Sequence, residues 1–155
     1  MSWEKGRDVI EDLLERRHLE RVTGNPEEGR HLLAKARTHL ATATATAEAD
    51  PEIAYDALYA AARKALTALL VEQGLRPTRE GGHEAVIEAA EAQFVPPMGD
   101  TLRPYRRLRR RRAQGDYQGV EAAIHPDDVK GDLPSAAAIV DLAEKLLAAG
   151  KLTVF

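Results

Sequence analysis

The stretch DPEIAYDALYAAARKALTALLVEQG, residues 50 to 74, decides the fold class. Asp50 offers a side-chain acceptor to the first free N–H groups of a helix. Pro51 has the preset φ suited to the first helical position, and Glu52 lies against the positive end of the dipole. From there Ala54, Ala57, Leu58, Ala61, Ala65, Leu69 and Leu70 recur at helical spacing as a broad apolar face, and Gly74 closes the helix.

The same grammar runs outward in both directions. Asn25, Pro26, Glu27 and Glu28 open a preceding helix whose stripe is Leu32, Leu33, Ala36, Leu40, Ala43 and Ala47, ending near Ala49. Before it, Val9, Ile10, Leu13 and Leu14 mark a short leader helix within residues 7–22, stopped by Thr23-Gly24-Asn25-Pro26. Downstream, Val86, Ile87, Ala90 and Phe94 place a helix over 83–94, and Pro96-Pro97 ends it. An arginine-rich helix follows from about Gly99 to Ala113, with Gly115 as its stop. A loop through His125-Pro126 and Gly131 then leads to a last helix from Pro134 to Ala149, capped by Gly150. The expected fold is all-α, an up-and-down bundle of about five helices with a short N-terminal leader helix. Residues 1–24 form the leader and linker and 25–150 the bundle. Residues 151–155 form an apolar tail that packs back or meets another subunit.

Composition narrows the chemistry. A chain of 155 residues fits one domain, and an apolar content dominated by Ala and Leu, with 5% aromatic residues, favours helices over a large sheet. The absence of cysteine excludes disulfides, Cys-ligated zinc and thiol catalysis. No segment has the apolar length of a signal peptide or a membrane span, so the expectation is a cytoplasmic protein with no membrane association.

Charge points to one segment. Seven of the ten residues from Arg103 to Arg112 are arginine, in a chain of net charge -3; with those seven set aside, 15 basic residues face 25 acidic ones, a balance of -10. Such a concentration suits a polyanion or an acidic partner, and guanidinium offers phosphate a planar fork of donors. The alternative is a solvated helix face paired with carboxylates of neighbouring helices. At about 100° per residue, Leu102, Tyr105 and Leu108 face the core, while Arg103, Arg106, Arg107, Arg110 and Arg111 point outward or sideways. Arg112 falls on the buried flank and Arg109 at its edge. A guanidinium turned inward needs an anionic or carbonyl partner or a ligand, so Arg112 is the arginine with a specific task, unless it reaches water from a frayed last turn. Gly115 would let the chain turn back and bring Asp116 and Tyr117 beside Arg112.

Several segments together carry a family resemblance. They are Tyr55-Asp56-Ala57 with Ala61-Ala62-Arg63-Lys64-Ala65-Leu66, Gly74-Leu75-Arg76-Pro77, Gly81-Gly82-His83, and Leu108-Arg109-Arg110-Arg111-Arg112 on to Tyr117. In helix order and punctuation, over roughly residues 30–149, the chain resembles the HEPN domain. That family comprises small helical bundles of prokaryotes that serve as nucleotidyltransferase partners, toxins and phage-defence components, and the likeness is to its small stand-alone actinobacterial-type members. The resemblance implies a homodimer, no cofactor and no metal. It also implies metal-independent endoribonuclease chemistry where an arginine is followed, four to six residues on, by a histidine. Here Arg112 takes the arginine position, Tyr117 the histidine position, and Ala113 stands where a polar residue is usual. A phenol with an ordinary pKa of about 10 is a poor base at pH 7, so binding of RNA or a nucleotide is expected rather than efficient cleavage. The binding set is Arg106, Arg109, Arg110, Arg112, Asp116 and Tyr117, and Arg112 and Tyr117 would be the catalytic pair if the protein is active. The other reading is a protein-interaction module, a toxin–antitoxin-like partner of a nucleotidyltransferase, in which case Tyr117 is also a candidate acceptor of a nucleotidyl group.

The remaining polar residues carry weaker signals. His31 and His39 read as ordinary helix-surface or capping histidines. His83, after Gly81-Gly82, reads as structural punctuation with a modest anion site at a helix start. His125-Pro126-Asp127-Asp128 reads as a cap rather than a metal site, and Tyr55 and Tyr59 as core or subunit interface.

Overall fold

The computed structural model describes residues 4–117 and 119–155, with the backbone alone for Pro26, Asp116 and Tyr117. The fold is all-α: α1 (Arg7–Glu15), α2 (Pro26–Thr46), α3 (Pro51–Glu72), α4 (Gly82–Phe94), a short α5 (Gly99–Leu102), α6 (Pro104–Tyr117) and α7 (Pro126–Ala148). A 3-10 turn, Val120–Ala122, precedes α7, and β1 (Leu19–Arg21) and β2 (Leu75–Pro77) form a small ribbon. Among the described residues no helix is long and apolar enough to cross a membrane.

The caps read from sequence are formed. Asn25 Oδ1 accepts the Glu27 N–H at 3.0 Å, and Asp50 Oδ1 accepts that of Ile53 at 3.2 Å. Between them α2 and α3 run side by side, and α3 also meets α4, α6 and α7. A helix surrounded on this scale must be apolar over most of its circumference. Accordingly Ala54, Leu58, Ala61, Ala62, Ala65, Leu66, Ala68, Leu69 and Leu70 are all buried. The alanines let neighbouring helices approach closely, and the space that remains is filled by Tyr55, Tyr59 and Tyr105, each at most 1% exposed. Tyr55 and Tyr59 therefore belong to the core.

The first helix is shorter than its periodicity suggests. It ends at Glu15, not near Val22, because Arg17 takes a left-handed φ of 60° while Arg17 N–H and His18 N–H donate to Leu14 O and Leu13 O at 3.0 and 2.8 Å. The chain then leaves as β1, antiparallel to β2 in the register Leu19↔Pro77, Glu20↔Arg76, Arg21↔Leu75, with Arg76 bonded to Glu20 across the strands. Leu19 and Leu75 point into the core, as do Ile10 and Leu13 of α1, so the leader shares one hydrophobic cluster with the rest. The C-terminal tail packs back as well: Arg21 Nη1 donates to the Phe155 carbonyl at 2.6 Å and the Arg7 guanidinium lies 5.2 Å from the Phe155 ring centre.

Two boundaries in the second half also move. The arginine-rich segment is split into α5 and α6, and α6 runs through Gly115 to Tyr117 with no chain reversal there. Gly115 is required for space: a Cβ at this position would sit 2.5 Å from Ile124 Cδ1. The last helix starts at Pro126 rather than Pro134, so Gly131 and Pro134 lie inside it. Its start is fixed by Pro126 in the first turn and by Asp128, whose Oδ2 accepts the His125 N–H at 2.8 Å. An interior proline costs about 3 kcal/mol, and α7 offsets this by burying Val129, Ala136, Ile139 and Val140 against the rest of the core.

Candidate functional site

Carboxylates on neighbouring helices take up most of the arginine run. Arg103 pairs with Asp100 at 3.0 Å, Arg107 with Asp132 at 3.0 Å, and Arg109 with Glu84 at 2.7 Å, while Arg106 binds Glu84 and Glu91 together. Arg111, expected to point outward or sideways, lies sideways and is among the least exposed of the seven. It donates to the Ala122 and Ala123 carbonyls at 2.9 and 3.1 Å and pairs with Asp128 at 3.1 Å, because the start of α7 lies on that flank and presents acceptors to it. Only Arg110 has no acidic partner among the described residues. The paired-face reading thus accounts for most of these charges, and the segment is not a free polycation.

Arg112 is turned toward the protein, as its place on the helical wheel predicts. Its Nε donates to Asp56 Oδ1 at 3.1 Å, and its guanidinium carbon lies 5.6 Å from the centre of the Tyr59 ring. The phenol and the acid beside it are therefore Tyr59 and Asp56 of α3. Tyr117 and Asp116, expected there from the sequence, have side chains that lie outside the described residues. Asp56 engages only Nε, leaving both terminal nitrogens of Arg112 without a protein partner among the described residues.

Around this contact the structure assembles groups from three helices. The Tyr59 hydroxyl shares hydrogen bonds with His83 Nδ1 at 2.9 Å and with the Tyr105 hydroxyl at 3.2 Å. Burial, together with the nearby positive charges of Arg63, Arg109 and Arg112, lowers the His83 pKa to about 4, so the imidazole is neutral at pH 7. Burial raises the Tyr59 and Tyr105 hydroxyls above the usual phenol range, so both act as neutral hydrogen-bonding groups. Arg63 adds a third guanidinium. It has no ion pair among the described residues, and its buried Nε has no hydrogen-bond partner.

Sequence reasoning missed Arg63 and undervalued His83, although the signal was present. Asp56, Tyr59 and Arg63 follow one another at three- and four-residue spacing, a polar stripe on a helix that is otherwise apolar almost all round. His83 acquires its surroundings only through packing, because α4 and α6 approach α3 from different parts of the chain. Arg106 and Arg109 are held by Glu84, at the rim of a shallow hollow of about 280 Å³ that Arg110 also lines. No group of side chains fit to hold a metal ion occurs among the described residues.

Three guanidiniums, one neutral imidazole and two buried hydroxyls offer many donors and no nucleophile activated by a neighbouring base. Such a set suits a phosphate oxygen, which guanidinium forks recognise by charge and geometry. No protein-family model, no curated protein and no solved structure matches the chain.

Proposed function

We propose that this protein is an up-and-down helical bundle of HEPN type that binds single-stranded RNA or a nucleotide through Arg112, with Arg109 and Arg63 beside it, and is not an efficient ribonuclease. The observation that carries the reading is Arg112 itself: half-buried, laid over Tyr59, and tied to Asp56 by one nitrogen so that two donors remain for a phosphate oxygen. A base can stack on the guanidinium plane while the phosphodiester takes its edge. Inefficient cleavage follows from the groups present, since the one imidazole nearby is held neutral with a pKa of about 4 and is a weak base. A homodimer in the cell is the assembly this reading expects.

The test is fluorescence polarisation with a labelled single-stranded RNA. The wild type is expected to bind at low salt and to weaken steeply as salt rises. Arg112→Ala is expected to lose about tenfold or more in affinity, on the order of the 1.5 kcal/mol at the low end for one charge-assisted contact. Arg112→Lys should recover little, because a point charge replaces the fork and the stacking plane. Equal affinity in wild type and Arg112→Ala would refute the assignment.

A further inference from the structure

A second group of cations lies on the neighbouring face of α2 and α3. Lys64 Nζ donates to His39 Nε2 at 2.6 Å, and Lys35, one turn before His39 on α2, faces the same pair. The charges felt by His39 are those of Lys64, Lys35 and Arg63, and those felt by Lys64 are Arg63 and Lys35; no carboxylate contributes at either. Burial and these like charges hold both groups below their ordinary values, the direction expected where cations crowd together without a counter-ion.

What sets this group apart is that cations without a carboxylate partner meet at one histidine; Arg17, Arg21, Arg79, Arg110, Lys145 and Lys151 also lack a carboxylate partner among the described residues, and are exposed side chains. Arg7, Arg16, Arg30, Arg37, Arg76 and nearly all of the α6 arginines have carboxylate partners. Lys35, Arg63 and Lys64 have none among the described residues, although the chain carries more acids than bases. Arg63 belongs to both groups: its charge acts on His39 and Lys64, and also on His83, Tyr59 and Tyr105. Arg63 thus links the cations near Arg112 with those near Lys35.

We propose that Lys35, His39 and Lys64 form a second phosphodiester subsite, joined through Arg63 to the Arg112 site, so that a single-stranded RNA crosses α3 with successive phosphates on the two clusters. The inference rests on the reading of Arg112 as a phosphodiester contact, and it names the path the strand takes and the residues that hold its next phosphate. Lys64 and His39 provide N–H donors to one phosphate, and the planar Arg63 fork sits between two.

Two measurements test it. In the first, inorganic phosphate is titrated into the full chain while the His39 imidazole is followed by NMR. The His39 pKa is expected to rise as phosphate binds in wild type and to stay fixed in Lys64→Gln. An unresponsive His39 overturns the subsite whatever RNA does. In the second, RNA affinity is compared at 50 and 200 mM salt. Each lost phosphate contact is expected to shrink the fourfold-salt effect by about threefold, from a single-strand slope of about 0.7 per contact. Lys64→Gln with His39→Gln should show this reduction and Lys64→Arg should retain the wild-type slope. Arg79→Gln, an equal change of net charge on an exposed loop, should also retain it. If Arg112→Ala weakens RNA binding while Lys64→Gln with His39→Gln leaves the slope unchanged, the subsite is wrong and the Arg112 reading stands. If neither variant changes binding, both fall. A His39 that responds to phosphate without any effect of the double variant on RNA marks an adventitious anion only, and also overturns the proposal.

Discussion

Gly81→Ala is expected to destabilise the protein by about 3 kcal/mol, the upper part of the range for overpacking a site that cannot relax. The cause is contact, not conformation. Gly81 has φ -69° and ψ -37°, values any residue adopts, so the missing side chain is not serving a left-handed turn. A Cβ there would lie 2.1 Å from the His18 carbonyl oxygen and 2.5 Å from its Cα, both backbone atoms that cannot swing aside as a side-chain end can. The same carbonyl accepts the Thr78 N–H at 3.0 Å, and the Thr78 hydroxyl donates to Arg17 O at 2.6 Å and accepts the Gly81 N–H at 3.0 Å. Pushing His18 away therefore strains the exit from α1, the β1–β2 ribbon and the start of α4 together. Urea unfolding of Gly81→Ala measures the loss. Gly82→Ala is the informative companion: Gly82 has φ 55° and open space where a Cβ would go, so its cost is the smaller backbone penalty of about 1–2 kcal/mol. A ranking with Gly82 the costlier site would contradict the close-approach account.

The legibility of this chain divides along the same line between local and non-local causes. The caps Asn25-Pro26 and Asp50-Pro51 and the apolar stripe of α3 depend on residues within a turn or two of each other, and the sequence reading and the structure agree on them. The end of α1 at Glu15 depends on a left-handed Arg17 and on pairing with a strand more than fifty residues away, neither of which periodicity reveals. Gly115 looked like a helix stop because glycine usually is one; its partner Ile124 lies on a segment that only tertiary packing brings close. Pro134 looked like a helix start for the same statistical reason, and burial of Val129 in the turns before it outweighs that preference. At the site, the inward turn of Arg112 followed from helical geometry alone. That it would lie over Tyr59 did not follow, because only the docking of α6 on α3 brings the two together.

Lowering the pH from 6.5 to 4 is expected to cost the wild-type protein about 2 kcal/mol through His83 alone. Its folded-state pKa, about 4, lies below the ordinary value of 6.5 for the unfolded chain, so in this interval the unfolded state binds the proton and the folded state does not. Stability is therefore independent of this group above pH 6.5 and falls as the pH drops toward 4. A displacement of that size corresponds to at most about 3 kcal/mol, and solvent screening of a half-buried ring reduces it to about 2. His39, Asp128 and Glu144 are also held below their ordinary values and lose stability in the same direction, so the diagnostic quantity is the difference between wild type and His83→Gln across the interval. That difference should shrink in Arg63→Gln, which removes the neighbouring charge that contributes most at the imidazole, and persist in part because burial is the larger cause. An NMR titration placing His83 near 6.5 in the wild type would remove the basis for the claim.

The same electrostatics give the candidate site a signature that a purely structural histidine would lack. The groups acting on His83 are Tyr59 and Arg63 from α3 and Arg109 and Arg112 from α6, with Tyr105 behind Tyr59, so its surroundings are positive or neutral. If the site takes a phosphate on Arg112 and Arg63 as proposed, that phosphate reverses the sign of the field and raises the imidazole pKa. Binding is then coupled to proton uptake, and by linkage RNA affinity is expected to increase as the pH falls from 6.5 toward 5, over the interval in which the free protein loses stability. His83→Gln should flatten that dependence while keeping most of the affinity at pH 7.5, where the ring is neutral with or without ligand. Affinity that is flat with pH in the wild type, or a pH dependence unchanged in His83→Gln, would separate His83 from the anion site and leave it a core hydrogen-bonding partner of Tyr59.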